Sequence, residues 1–171
     1  MYVKVASQTV SAVASVSFDN CFSANYTHYL VVRNLSGTVA LNTLTARLRT
    51  GGADATGASY RIERVQVSGA SLSAAQTTAQ TSWNNGFLGT TETTAFGFSS
   101  TLISNPFDAA ATTAWANFGY AQTGNIEQNV TLYAHDLATS YDGISFILAQ
   151  FGGASTGTMT GTITIYGLRE S

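Results

Sequence analysis

Charged residues are scarce in this sequence. Only 9% of its 171 residues are charged, and no lysine or arginine occurs between Val65 and Leu168. Average soluble domains carry about 25% charged residues, and surface charge keeps monomers dissolved and apart. Because 44% of the residues are hydrophobic, we expect neighbouring molecules to cover part of the surface of this protein.

The sequence also lacks a pair of cysteines, a long apolar run and a signal-peptide pattern. The single cysteine, Cys21, excludes an internal disulfide, and its neighbour Phe22 indicates a small buried side chain. No apolar run approaches the roughly 20 residues that cross a bilayer. Residues 1–9 turn polar too early for a signal peptide. We therefore expect synthesis in the cytoplasm and no membrane partner.

Residues suited to catalysis, metal binding and nucleotide binding are few. The two histidines, His28 and His135, are accompanied by no Gly-x-Ser-x-Gly motif, and with one cysteine they fit no zinc-ligand spacing. The loop at residues 51–57 has a single carboxylate, Asp54, whereas calcium sites use several. A net charge of −2 and one lysine argue against nucleic acid and nucleotides. The sequence predicts no enzyme activity, no metal and no cofactor.

Alternation of apolar and polar residues dominates what is present. A period of two is typical of half-buried strands, and Gly- and Asn-rich turns separate the runs. The clearest runs are residues 15–19, 44–49, 130–135, 144–149 and 162–166. Short strands at about 10–12-residue spacing predict an all-β, single-domain antiparallel β-sandwich that is jelly-roll-like and spans residues 1–171. Residues 1–10 form either an N-terminal arm or an edge strand of this domain.

Three segments carry more detailed expectations. The apolar run at residues 29–32 predicts a central strand buried on both faces. In residues 60–67 the apolar residues change from even to odd positions near Arg64, and this change in the alternation predicts a β-bulge. Residues 72–80 contain enough alanine to suggest a turn or two of helix.

Opposite charges separate along the chain. Residues 1–64 hold six bases and three acids, a net charge of +3, whereas residues 65–168 hold five acids and no base, a net charge of −5. These halves can pair within one subunit or between neighbouring subunits, and the alternative is that the arginines are solvated at the surface. The arginines interpreted as ion-pair partners at a capsid or subunit interface are Arg33, Arg47, Arg49, Arg61 and Arg64. Arg47 and Arg49 should share one sheet face, because they are two residues apart.

Large aromatic residues near amides form a second candidate site. Flat aromatic rings stack on sugar faces, and they also anchor cores and interfaces. The candidate glycan-binding or interface residues are Trp83, Asn84, Asn85, Trp115 and Tyr120. The residue types alone leave both roles open.

A series of short motifs along nearly the whole chain resembles one known β domain. The motifs are VASQTV at 5–10, SVSFDNCF at 15–22, Tyr26, Tyr29, residues 48–49, the loop at 52–60, TSW at 81–83, NPF at 105–107, SYDG at 140–143 and GTITIYG at 161–167. Their order resembles a domain that recurs in the virion proteins of tailed phages. The resemblance implies a trimeric, jelly-roll-like module displayed on the virion, and it brings no catalytic motif.

The position of the motifs along the chain refines this expectation. In fibre proteins the resembling domain tends to follow a long anchoring region, whereas Met1 lies only a few residues before the first motif here. The resemblance therefore implies a capsid decoration or cement protein on the outer surface of the head. Its partners are then sister copies in a homotrimer and the major capsid protein or another virion protein. The alternative is the receptor- or glycan-binding head domain of a tail or head fibre.

Overall fold

The alternating sequence pattern becomes an almost entirely β-stranded chain. The structure is a computed structural model that describes residues 1–38, 42–87, 97–122, 125–150 and 157–169. These residues contain thirteen strands and no helix, so the described chain has no helix able to cross a bilayer. The strands are β1 (Tyr2–Val13), β2 (Ser15–Phe18), β3 (His28–Gly37), β4 (Asn42–Thr50), β5 (Ala53–Asp54), β6 (Tyr60–Ser68), β7 (Ser71–Gln80), β8 (Trp83–Phe87), β9 (Gly97–Ser104), β10 (Thr112–Gln122), β11 (Asn125–His135), β12 (Gly143–Gln150) and β13 (Met159–Leu168).

The strands form two antiparallel sheets. The larger sheet has the order β1-β13-β3-β9-β10-β11-β6-β7, and the smaller has the order β2-β12-β4, with β5 and β8 both paired to β4. The rows β1-β13-β3-β9 and β2-β12-β4-β8 have the strand order of a jelly roll, which confirms the predicted fold. Two hairpins, β10–β11 and β6–β7, extend the larger sheet beyond β9.

The inner faces of the two sheets pack together into one hydrophobic core. Tyr29 and Val31 of β3 enter it from the larger sheet, and Leu48 and Phe146 enter it from the smaller sheet. Cys21 is buried in the same core, as its neighbours predict, and burial raises the pKa of its thiol to about 12. A thiol with such a pKa is not a nucleophile at neutral pH.

The apolar run at residues 29–32 is buried on one face only. Tyr29 and Val31 are buried on the inner face, whereas Leu30 and Val32 are half-buried on the outer face. The expectation of burial on both faces is wrong, because the smaller sheet covers only one side of β3.

β6 is regular at the position of the expected bulge. It pairs with β11 residue by residue from Tyr60 to Ser68, and its side chains alternate strictly in exposure. Val65 and Val67 lie on the outer face, where they are 45% and 42% exposed. No bulge lies at Arg64, where the sequence pattern predicts one; the irregularity of this segment is a register shift between Tyr60 and Ile62 in the β6–β7 ladder. The alternation changes phase near Arg64 because the outer face of β6 is apolar in its second half.

β7 is an exposed edge strand, so the helical turn expected at residues 72–80 is also wrong. All ten residues of β7 are exposed. A turn at Gly69, with φ of +57°, returns the chain onto β6, and the resulting ladder overrides the weak helix propensity of a Ser- and Thr-rich segment. β7 contains no charged residue and no proline, the residues that usually protect a free sheet edge.

β1 forms the opposite edge of the larger sheet. It pairs with β13 and is interrupted by two register shifts. Of the two arrangements left open for the N-terminus, the chain adopts the edge strand. Hydroxyl groups line the outer side of this pair, where Ser7 Oγ lies 3.0 Å from Thr164 Oγ1.

Candidate functional site

Arg33 is buried between the two sheets. It extends from the inner face of β3, where Nε donates to Ser99 Oγ at 2.8 Å and Nη2 donates to Thr101 Oγ1 at 2.7 Å. Its guanidinium carbon lies 5.4 Å from the centre of the Phe146 ring. Burial lowers the pKa of Arg33 to about 10. The predicted contact of Arg33 with an acidic partner is wrong, because an inward-facing residue of β3 is covered by the smaller sheet.

Arg47 and Arg49 share the outer face of the smaller sheet, as their spacing predicts. Arg49 Nε donates to Asp19 Oδ1 at 2.7 Å, and Arg49 Nη1 contacts the Asp54 carboxylate. Arg47 Nη1 lies 3.9 Å from Asp54 Oδ2. Burial acts to lower the pKa of Arg49, but the two carboxylates raise it above its ordinary value. These arginines are largely neutralised within the chain, which leaves little charge for a partner.

Arg61 and Arg64 follow each other on β6 but have different surroundings. Arg61 Nε donates to Asp136 Oδ2 at 2.6 Å, and both side chains are exposed. This contact joins the basic and the acidic halves of the sequence inside one subunit. Arg64 is half-buried and forms no ion pair with any residue that the structure describes.

Trp83 is buried in the core and is not a sugar-stacking residue. Its Nε1 donates to the carbonyl oxygen of Ala134 at 2.9 Å. The rings of Tyr60 and Tyr133 each have their centres 5.7 Å from its ring. The glycan-binding interpretation of Trp83 is therefore wrong, since the inner face of β8 packs against the β10–β11 and β6–β7 extension.

Three further candidate residues lie on β8 and β10: Asn84, Asn85 and Tyr120. Asn84 follows Trp83 on β8, and its backbone carbonyl accepts a hydrogen bond from the Tyr133 hydroxyl. Asn85 lies on β8 and Tyr120 lies on β10. The side chains of Asn85 and Tyr120 fall outside the described part of the structure.

Trp115 lies in an exposed apolar surface on the outer face of the larger sheet, which we call the outer patch. It is directly opposite Leu132 of β11 and Leu102 of β9. Trp115 and Leu132 are each 55% exposed. The described residues that line a shallow cavity of about 190 Å³ beside Trp115 are all uncharged. The outer patch consists of Leu30, Leu102, Trp115, Leu132, Val130, Val65 and Val67.

A second cavity, of about 180 Å³, lies on the inner side of the β6–β7 hairpin. Arg64 of β6 is directly opposite Thr131 of β11 at its floor. We call it the Arg64 cavity; its lining residues are Ile62, Arg64, Ala75, Thr77, Asn84, Phe118 and Thr131. Two residues that the sequence suggested separately, Arg64 and Asn84, therefore line one site.

Neither histidine is arranged for hydrolytic catalysis. His28 Nδ1 lies 3.0 Å from Ser104 Oγ, but among the described residues no carboxylate contacts this imidazole. His135 is buried beside Tyr141, whose hydroxyl lies 3.2 Å from Nδ1, and burial lowers the pKa of His135. Over the described ranges, no group of three or more His, Cys, Asp or Glu residues could hold a metal ion.

Sequence reasoning missed most of the residues that complete these surfaces, and two of them are central. Leu132 completes the outer patch, and Thr131 completes the Arg64 cavity. Their alternation along β11 separates them onto opposite faces, but only the pairing with β6 and β10 shows which face each occupies. Comparisons of the chain with protein-family models, with curated proteins and with solved structures find no match.

Proposed function

We propose that this chain is a non-enzymatic structural protein of a tailed-phage virion, a trimeric decoration or cement protein that stabilises the head from outside. The observation that carries this proposal is the exposed, largely apolar outer patch around Trp115, which Glu63 borders directly opposite Leu132. The jelly-roll strand order agrees with the module that the motifs resemble. The low charge of the chain favours the same role, because a subunit covered by neighbours has less need of surface charge.

The outer patch is suited to protein contact. Monomeric proteins rarely expose large contiguous apolar surfaces, and tryptophan is enriched at the centres of interfaces. Trp115, Leu132 and Val65 lie on β10, β11 and β6, which are additional to the two jelly-roll rows. Their exposure is therefore not a consequence of building the sandwich core. A neighbouring subunit or the capsid surface would remove this apolar area from water.

The proposed mechanism combines two kinds of protein contact. One surface of each subunit contacts its sister copies, and another contacts the major capsid protein, so that each trimer links adjacent capsid subunits. Stable specific interfaces bury about 1,200–2,000 Å² in total. Because cement contacts join neighbouring capsid proteins, they resist the outward pressure of the packaged DNA without any chemical step.

The test measures the size of the purified protein and its abundance in virions. Light scattering at micromolar concentration is expected to give a trimer. Quantitative mass spectrometry of purified particles is expected to give a copy number comparable to that of the capsid protein. A stable monomer that is absent from the particles overturns the proposal.

A glycan-binding fibre head is the second candidate, and one observation favours it. The cavity beside Trp115 is also lined by Asn117 and Ser100, which combines an aromatic ring with hydrogen-bonding groups. Saturable binding on a glycan array that Trp115→Ala abolishes, together with a copy number typical of a fibre, would favour this candidate. Absence of glycan binding and a high copy number would favour the decoration protein.

A further inference from the structure

The Arg64 cavity contains a guanidinium that has no carboxylate within salt-bridge distance among the described residues. Arg47, Arg49 and Arg61 each have a carboxylate within salt-bridge distance. Arg33 is instead held by two hydroxyl groups inside the core. Arg64 is half-buried, and no acidic residue is found among the described residues that line its cavity. A partly desolvated guanidinium without an anion is unfavourable, and it attracts one.

A second polar group, the Thr131 hydroxyl, lies at the same site. Thr131 is directly opposite Arg64 and almost fully buried, and the side chain that its hydroxyl approaches is the Tyr133 phenol. Thr131 and Arg64 belong to adjacent strands on one face, so a single small group can contact both. Asn84 adds an amide to the wall of the same cavity.

The size of the cavity limits what it can hold. Its volume of about 180 Å³ is below the roughly 300–1,000 Å³ of drug-sized ligand sites. The apolar side chains of Ile62 and Phe118 complete the lining. The cavity opens beside β7, which no other strand covers on either face among the described residues. It therefore suits one compact polar group that enters from solvent or from an adjoining molecule.

We propose that the Arg64 cavity binds a carboxylate group. A guanidinium presents paired N–H donors that match the two oxygens of a carboxylate, and the Thr131 hydroxyl supplies a further donor. The carboxylate comes either from an acidic side chain of an adjoining protein chain or from a small free acid such as a uronic acid. The first source rests on the assembly proposed above, whereas the second is independent of it.

The first experiment titrates the purified protein with glutarate and with glucuronate, and follows the Arg64 Nε–H signal by NMR. We expect saturable shifts at Arg64 and at the Thr131 amide. Arg64→Gln is expected to weaken binding by about tenfold or more. Arg61→Gln is the matched control, because it removes an arginine from the opposite face of the same strand, and it should bind as the wild type does.

Thr131→Val separates binding from folding. This change removes only the hydroxyl and keeps the branched shape of the side chain. The Tyr133 phenol retains its hydrogen bond to the Asn84 carbonyl, so the free energy of unfolding should change little. Carboxylate binding should nevertheless become several-fold weaker. A purely structural role of Thr131 would leave the binding constant unchanged.

The second experiment measures the oligomeric state by mass photometry for the wild type, Arg64→Glu, Arg64→Gln and Arg61→Gln. Dissociation of the two Arg64 variants alone identifies an acidic side chain of an adjoining chain as the occupant. Unchanged oligomers together with saturable binding of a free acid identify the second source. If the Arg64 variants neither change assembly nor bind free acids differently, the carboxylate site is overturned. A monomeric wild type instead contradicts the proposed assembly, and the titration still tests the cavity.

Discussion

Trp115 of β10 and Leu132 of β11 are directly opposite each other on the outer face of the larger sheet, and each side chain is 55% exposed. Cross-strand pairs of this kind usually bury one another when a second layer covers the sheet. Here no described element covers them. The pair therefore forms the centre of the outer patch.

Replacing Trp115 and Leu132 together by serine should abolish self-association without loss of stability. The two side chains contribute little to the core, and exposed apolar anchors commonly dominate an interface. Light scattering and urea unfolding measure the two effects. Leu137→Ser is the control, because Leu137 is similarly exposed, at 47%, but follows the end of β11. Normal assembly of the double variant would remove the outer patch from the proposed interface.

Trp83→Ala should reduce the free energy of unfolding by about 3–5 kcal/mol, since it leaves a large cavity in the core. The change also removes the indole donor that contacts the Ala134 carbonyl. Trp83→Phe should cost less, because it retains most of the packing against Tyr60. Urea unfolding followed by circular dichroism measures both variants. An unchanged unfolding midpoint for Trp83→Ala would contradict the buried position.

Replacing Arg33 by methionine should change stability little, and Arg33→Met with Ser99→Ala should stabilise the fold by about 1–3 kcal/mol. The single change relieves a buried charge but removes the donor to the Ser99 hydroxyl, whereas the double change removes that hydroxyl as well. Thr101 loses its guanidinium donor in both variants. Arg33→Ala is the comparison, and the cavity it leaves should cost about 2–4 kcal/mol. Strong destabilisation by the double change would mean that the guanidinium itself stabilises the core.

Stability should fall as the pH is lowered from 7.5 to 5.5, in part because of His135. Burial lowers the pKa of His135, so the unfolded chain binds a proton near pH 6.5 that the folded chain resists. The unfolded state therefore gains stability as the pH falls. His135→Gln should flatten the pH dependence of the urea midpoint. Identical profiles for the wild type and His135→Gln would contradict this origin.

Gly161→Ala should destabilise the fold by about 2–4 kcal/mol. Gly161 has φ of +141°, and a Cβ atom there would lie 2.1 Å from the carbonyl oxygen of Asn34 on the paired strand β3. Gly57→Ala is the control, because the nearest atom to its Cβ would be Ser59 Oγ at 3.8 Å. Thermal unfolding of the two variants measures the difference. Equal melting temperatures would show that β13 can shift away from β3.

Local alternation explains why much of the fold could be predicted. The runs at residues 44–49 and 144–149 became β4 and β12, whose apolar faces form the core of the smaller sheet. The alternation of apolar and polar residues gave wrong predictions where an apolar residue does not lie on a buried face. The valines of β6 are exposed on the outer patch, and β7 has no buried face at all.

The candidate site was less predictable than the fold. Arg33 and Trp83 have residue types common at interfaces, yet both are buried, because the faces of β3 and β8 are covered by other strands. Arg64 and Asn84 are twenty positions apart on different strands, and they line one cavity only after β6 pairs with β11 and β8 pairs with β4.

The sequence by itself determined the all-β class, the positions of the principal strands and the scarcity of charge, because these depend on composition and on the alternation of neighbouring residues. The tertiary structure decided which arginines and tryptophans remain exposed. It also decided that Trp115 meets Leu132 and that Arg64 meets Thr131. Exposure and cross-strand contact depend on register and on which face the second sheet covers, and both are relations between distant segments that no local pattern records.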